Sequence, residues 1–140
     1  MKTLSLAIAS LGFAGLANAQ VMKVEDVEEL LDNSSKYIGK TVQVTGEVEE
    51  KYATMKDSFV LESGGWFNDE ITVIPKRGYT MPALTEDDDI QVTGTVRRSS
   101  VIEIERELDW DLDSEVEYEL ESSEAYIVAD KVIVNDRDVF

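Results

Sequence analysis

Carboxylates are the side chains of this sequence that are best able to do chemistry. The chain has 30 Asp and Glu residues against 13 Lys and Arg, and it has neither histidine nor cysteine. Without those two residue types, Ser-His-Asp and Cys-His catalysis and zinc sites built from imidazole or thiolate are excluded. Paired carboxylates can hydrolyse glycosides, but among so many acids some pairs will form whatever the function. The sequence therefore predicts a protein that is not an enzyme and needs no cofactor.

Three aspartates alternate with other residues in one acidic stretch, a spacing that is typical of calcium ligands. Asp109, Asp111 and Asp113 take positions one, three and five of a pattern like the start of an EF-hand loop. Position six is Ser114, where the loop requires glycine, and position twelve is Leu120, where it requires glutamate. The pattern therefore predicts weak calcium binding by the three aspartates as an alternative function.

Large aromatic side chains form the second group of candidate site residues. Trp66 and Phe67 directly follow two glycines in a predicted hairpin loop, where large rings are hard to bury locally. Tyr52 follows the first predicted strand, where simple packing at a strand end is the alternative interpretation. We therefore predict Tyr52, Trp66 and Phe67 as contacts for an unknown small molecule, glycan or peptide.

The excess of acid limits the partners that the chain can have. Its formal net charge is −17, and losing an N-terminal segment with one lysine would leave 12 bases and 30 acids, or −18. This charge repels nucleic-acid phosphates and anionic membranes, although Lys51, Lys56, Lys76 and Arg77 lie near the candidate rings in the sequence. Nucleic acid is therefore disfavoured. The acidic surface is either a solvated face suited to a salty medium or a binding surface for divalent cations or a basic protein.

The N-terminal residues have the composition of a secretory signal peptide. Lys2 precedes a short apolar run over residues 4–16, and residues 17–19 (Ala-Asn-Ala) supply the small side chains of a cleavage site. The run is shorter than the roughly 20 apolar residues that span a bilayer. We predict a signal peptide over residues 1–19 and a single domain over residues 20–140. Because no cysteine is present for lipid attachment, the mature chain is expected to be periplasmic or secreted, without a membrane span.

A repeated phrase predicts the strands that must position these residues. Thr41–Val48 (TVQVTGEV) returns as Asp89–Val96 (DIQVTGTV), with five of eight positions identical. Each copy alternates apolar and polar residues, which is typical of a strand with one buried face. Gly46 and Gly94 interrupt the apolar face at the same place, and glycine inside a strand indicates a bulge, a bend or a close backbone approach. Two such strands favour a small, strongly curved sheet, and so a barrel.

The remaining elements follow from periodicity and from turn residues. An amphipathic helix is predicted over residues 24–32. Residues 101–112 fit either a strand at period two or a helix, and their helix-forming residues favour helices over 102–108 and 115–121. Five strands are predicted over residues 41–50, 57–63, 70–75, 90–98 and 125–135.

Several phrases resemble small secreted bacterial proteins of the OB-fold type. They are Tyr37–Val48, Phe59–Glu62 and Ile127–Val132, and the resemblance extends over most of the chain after the signal peptide. It implies an all-β to α+β fold, a five-stranded OB-fold-like Greek-key barrel with an N-terminal helix. Such proteins are mostly described as stress-related or of unknown role, so the resemblance implies the fold and little about function. The function we expect is a non-enzymatic binding module with a link to envelope stress.

One departure from the OB pattern is visible in the sequence. The usual helix between the third and fourth strands is replaced by residues 76–89, which are rich in Gly, Pro and acid. The predicted helices lie instead between strands four and five. This helical insertion enlarges one of the two loops that flank the binding face of OB-folds.

Overall fold

Six β-strands form one sheet that closes into a barrel in the described part of the chain. The computed structural model describes residues 20–52, 55–63 and 69–135, and the predicted signal peptide lies outside these ranges. The strands are β1 (Val21–Val24), β2 (Thr41–Lys51), β3 (Phe59–Glu62), β4 (Glu70–Pro75), β5 (Asp89–Arg98) and β6 (Ala125–Val134). The barrel runs β2-β3-β4-β6-β5 and closes by pairing β5 with β2. The pairs β4–β6 and β1–β2 are parallel, so the sheet is mixed.

The predicted fold class is confirmed, and all five predicted strands are present within two residues of their expected ends. Strand β1 was not predicted. It pairs with β2 in parallel and sets Val24 beside Val44, so residue 24 belongs to a strand and not to the predicted helix. The helix begins only at Val27, because Asp26 is extended and its side chain accepts a hydrogen bond from the Glu29 backbone N–H at 3.0 Å.

The two copies of the repeated phrase pair with each other. They run antiparallel, with the equivalent residues Val44 and Val92 directly opposite one another. Gly94 is in close backbone contact, since a β-carbon placed on it would lie 2.3 Å from the carbonyl oxygen of Val128. At Gly46 a β-carbon would lie 2.6 Å from the carbonyl oxygen of Glu62. Of the expected roles of these glycines, close backbone approach is the one that the structure supports at both positions.

The inward faces of the strands fill the barrel with aliphatic side chains. Successive strand residues point to opposite faces, so the apolar residues at alternate positions of the repeated phrases are all buried. The interior side chains include Val42, Val44, Val48, Phe59, Leu61, Ile71, Val73, Ile90, Val92, Val96, Ile127 and Ala129. Helix α1 (Val27–Asp32) adds Val27 and Leu30 to this core, and α2 (Ser34–Tyr37) adds Tyr37.

Two further helices, α3 (Val101–Leu108) and α4 (Ser114–Glu121), lie between β5 and β6 as predicted. Both start at capped positions: the Ser100 hydroxyl accepts from the Glu103 N–H, and the Asp113 carboxylate accepts from the Val116 N–H. The strand alternative for residues 101–112 is wrong. Ile104 is buried while Ile102 is 69% exposed, which separates two residues that a strand would place on one face.

The helices build a second hydrophobic core on the outside of the barrel. Their buried side chains cover Ile74 of β4 and Tyr126 and Val128 of β6, which point away from the barrel interior. The full cluster is Met55, Ile74, Ile104, Leu108, Leu112, Val116, Leu120, Tyr126 and Val128. The Arg77 guanidinium also donates to the Arg106 carbonyl, and the Arg77 backbone N–H donates to Glu107 Oε2 at 2.8 Å, so α3 is tied to the β4–β5 connection. In the described residues, none of the helices has the length and apolar composition that crossing a bilayer requires.

Adding a methyl group at the closest backbone contact should destabilise the barrel. Gly94→Ala must displace the Val128 carbonyl and the Ala129 backbone, and overpacking of this kind costs about 1–3 kcal/mol. Gly78→Ala is the matched control. It meets no atom within 4 Å and carries only the strain of its positive φ of 88°. Urea denaturation should show the larger loss for Gly94→Ala, and an equal or smaller loss would contradict the close approach.

Candidate functional site

A cleft of about 180 Å³ opens at the margin of the outer core. It lies where β3 and β4 meet the chain leaving β2 and the C-terminal end of α4. Three carboxylates and four hydroxyl groups line it, together with two aliphatic side chains and no basic residue. The lining residues are Glu50, Tyr52, Val60, Glu70, Ile71, Thr72, Glu119, Ser122 and Ser123.

Tyr52, one of the three predicted contact residues, lines this cleft. Its hydroxyl shares a hydrogen bond of 3.1 Å with the hydroxyl of Thr72, a buried residue on the outer face of β4. Burial raises the pKa of the Tyr52 phenol. The hydrogen bond to Thr72 opposes this change, and the negative charges of Glu119, Glu50 and Glu70 add to it. Tyr52 therefore stays neutral and can offer a ring edge and a hydroxyl to a ligand in the cleft.

A group of three carboxylates adjoins the cleft through Glu70. The ligand oxygens of Glu49, Glu62 and Glu70 all lie within 4.8 Å of one another. Glu62 and Glu70 stand directly opposite each other on β3 and β4. Glu49 joins them because the β2–β3 register shifts between Val48 and Glu50, which leaves Glu49 as an extra residue in a β-bulge. Three neighbouring strands thus direct one carboxylate each to the same point.

Two of these carboxylates, Glu62 and Glu70, have pKa values above the ordinary value of a glutamate. A hydrogen bond with Glu49 raises the pKa of Glu70 to about 7, with partial burial and the charges of Glu49, Glu62 and Glu50 adding to the effect. Burial also raises the pKa of Glu62, and the charges of Glu49, Glu47 and Asp87 act in the same direction. The repulsion within such a group of carboxylates is reduced either by a shared proton or by a bound cation. Oxygen ligands of this type suit calcium and magnesium.

The three aspartates of the predicted calcium stretch lie at and between the facing ends of α3 and α4 in the sequence. Asp109 ends α3 in the left-handed region, with φ of 58°, and the Asp113 carboxylate is engaged in capping α4. Within the described ranges, the one set of carboxylates with ligand atoms within 4.8 Å of one another is that of Glu49, Glu62 and Glu70, and the set excludes Asp109, Asp111 and Asp113. Calcium binding by the aspartates stays a prediction.

Trp66 and Phe67 lie outside the described residues, so their predicted role in ligand contact stays a prediction. Their loop connects β3 to β4. The two residues that close its base are in the described part: the Ser63 N–H donates to the Asp69 carbonyl at 3.1 Å. The loop therefore starts and ends next to Glu62 and Glu70.

Sequence reasoning missed the carboxylate group, although part of its signal was present. Glu62 and Glu70 flank the Gly-Gly loop, and residues that flank a hairpin loop symmetrically pair across it. Glu49 could not have been assigned to this group from the sequence. Alternation from Val48 places Glu49 on the outer face, but it does not reveal the bulge that turns Glu49 toward Glu62 and Glu70.

The chain matches no known family model and shows no significant sequence match to a curated protein. The membership of the secreted OB-fold group that the sequence suggested is therefore a prediction. What is established is the closed five-stranded barrel with an extra strand and a helical insertion.

Neutralising Glu70 should change how stability depends on pH. The folded protein keeps the Glu70 proton up to pH about 7, whereas an unfolded glutamate loses it near 4.5. Between these values the folded state binds the extra proton, so stability falls as pH rises through the window. Glu70→Gln should remove part of this fall and raise the urea midpoint near pH 8 relative to the wild type.

The control for this experiment is Glu28→Gln, which removes one exposed acid on α1 outside the carboxylate group. It should leave the shape of the pH profile unchanged. If both variants flatten the profile equally, the effect comes from net charge and the interaction between Glu49 and Glu70 is refuted.

Proposed function

We propose that the protein is an exported, non-enzymatic OB-like binding module that holds a small ligand in the cleft beside Tyr52. The observation that carries this proposal is the place of the cleft in the barrel. OB-folds bind ligands on the face of their second and third strands, between the loops that join strands one to two and four to five. Here β3 and β4 are those strands, Tyr52 lies in the first of those loops, and Glu119, Ser122 and Ser123 lie in or beside α4 in the second.

The lining of the cleft indicates the chemistry of the ligand. Carboxylates and hydroxyl groups accept hydrogen bonds and attract positive charge, and no lysine or arginine is present to bind a phosphate. A nucleic-acid backbone is therefore disfavoured at this point, as the net charge also indicates. A sugar or another polyhydroxylated small molecule fits best, because it can donate to Glu50, Glu70 and Glu119.

Export is supported by the composition of residues 1–19, which have the charge, apolar run and small residues of a signal peptide. The mature protein would then act in a periplasm or outside the cell. It has no histidine or cysteine for nucleophilic catalysis, which supports binding as its role.

The binding proposal predicts that specific sugars stabilise residues 20–140. In a thermal-shift screen with a panel of mono- and oligosaccharides, a sugar at about 100 times its Kd should add about 2.7 kcal/mol to the stability. Glu119→Gln should reduce the affinity for that sugar by about tenfold, because the carboxylate is an acceptor in the cleft. The variant Glu28→Gln, at an exposed position outside the cleft, should bind the sugar with the affinity of the wild type. A panel without any hit, or equal effects of the two variants, would refute the sugar site.

A second candidate function is divalent-cation binding, and the geometry of Glu49, Glu62 and Glu70 favours it. Three carboxylates within 4.8 Å of one another can each supply an oxygen to one calcium or magnesium ion, with water completing the shell. This is the alternative that the sequence suggested, but at a different place in the chain.

Two variants distinguish the two cation sites. Calcium at matched ionic strength should raise the Tm of the wild type and of Asp111→Asn, whereas Glu62→Gln should lose most of the increase, because one ligand of three is gone. If Asp111→Asn abolishes the increase and Glu62→Gln retains it, the cation binds the aspartate stretch. If calcium leaves the Tm of the wild type unchanged, neither site holds it.

A further inference from the structure

The helical insertion carries more than half of the net charge of the molecule. Residues 101–121 contain ten acidic side chains and a single base, Arg106, so this stretch contributes −9 to the total of −17. The segment is only 21 residues long. Its acids are Glu103, Glu105, Glu107, Asp109, Asp111, Asp113, Glu115, Glu117, Glu119 and Glu121.

Large apolar side chains are exposed among these acids. Ile102 of α3 is 69% exposed and Tyr118 of α4 is 77% exposed. Ile102 lies two positions from the buried Ile104, and Tyr118 lies two positions from the buried Val116. Two positions along a helix correspond to a rotation of roughly 200° around its axis. Ile102 and Tyr118 therefore point away from the barrel, on the free side of their helices.

Trp110, between the two helices, adds a third exposed apolar side chain at 44% exposure. The ammonium of Lys56 lies 5.0 Å from the centre of the Trp110 ring, so the indole already binds a lysine side chain of its own chain. We define the outer helical surface as Ile102, Trp110 and Tyr118 together with the exposed acids Glu103, Asp111, Glu115 and Glu121.

We propose that the outer helical surface is a docking site for a basic polypeptide segment that carries Lys or Arg together with apolar side chains. Charge complementarity selects this occupant. An anionic membrane and a second copy of this chain, itself at −17, would both be repelled. The acids attract and orient the basic segment, and the apolar side chains slow its release, because aromatic anchors dominate the binding energy of interfaces.

This surface is independent of the cleft beside Tyr52. Tyr118 and Ile102 face solvent opposite to the buried side of their helices, whereas the cleft opens between α4 and the strands. Loss of sugar binding in a cleft variant therefore leaves the docking surface untouched, and the two proposals fail separately.

The test uses two synthetic peptides of equal length and equal positive charge, one of Lys and Leu and one of Lys and Ser, titrated against residues 20–140 by fluorescence anisotropy. The Lys-Leu peptide should bind more tightly by about tenfold, and its association rate should fall steeply with salt. Ile102→Ser combined with Tyr118→Ser should remove that tenfold advantage. Both residues are exposed, so the fold and its Tm should be almost unchanged.

Two matched controls decide the outcome. Val21→Ser combined with Ile133→Ser removes two other exposed apolar residues, 47% and 41% exposed, and should leave both affinities unchanged. Glu115→Gln combined with Glu121→Gln should reduce the salt dependence of the association rate of the Lys-Leu peptide. The reduction should be larger than that caused by Glu28→Gln combined with Glu86→Gln, which neutralises two exposed acids elsewhere. The proposal is overturned if the Lys-Leu peptide does not bind, if both peptides bind equally, if either control matches its test pair, or if the protein instead self-associates through Tyr118.

Discussion

The pairing of β2 with β5 is the contact on which the rest of the structure depends. It joins the first and fourth strands of the barrel, and its two sides are near copies of one sequence, with Val44 opposite Val92. Both glycines of the repeat allow a neighbouring strand to approach more closely than a side chain would permit. Along its other edge β2 carries first β1 and then β3. The β-bulge that directs Glu49 toward Glu62 and Glu70 lies in the pairing of β2 with β3, beyond the stretch of β2 that pairs with β5.

The place of the helices decides which part of the outer barrel surface stays open to solvent. Because α3 and α4 follow β5, they pack over Ile74, Tyr126 and Val128 on the outer surface and shield those side chains from water. The face that OB-folds use for ligands is therefore largely covered, and what stays open is a narrow cleft between α4 and β3–β4 with carboxylates at its rim. The insertion thus does two things: it shapes the cleft, and it presents a new acidic surface to the solvent.

The barrel could be predicted from the sequence because its signals are local. The alternation and the repeated glycines Gly46 and Gly94 lie within the strands themselves, and the spacing of Ile104 and Leu108 lies within one helix. Strand β1 has only four residues and depends on pairing with a segment 20 residues away, so no local sequence pattern predicts it. The carboxylate group depends on a bulge and on three strands meeting, and such a juxtaposition is visible only in the folded chain. Tyr52 could be singled out because a large ring after a strand end is a local signal, and the structure places it in the cleft, while its role in ligand contact stays a prediction.

The two segments that close the barrel have similar sequences. Strand pairing like that between β2 and β5 can therefore also form between two molecules. If β2 of one copy paired with β2 of another about Val44, Glu47 would face Thr41 and no longer the like-charged Asp89 that it faces within the barrel. Exchange of strands is therefore not opposed by the contacts of the strands themselves. It is opposed by the high local concentration of the tethered partner and by the repulsion between molecules of charge −17. The acidic surface thus opposes pairing between molecules, and concentrated salt, which screens the repulsion, weakens that opposition.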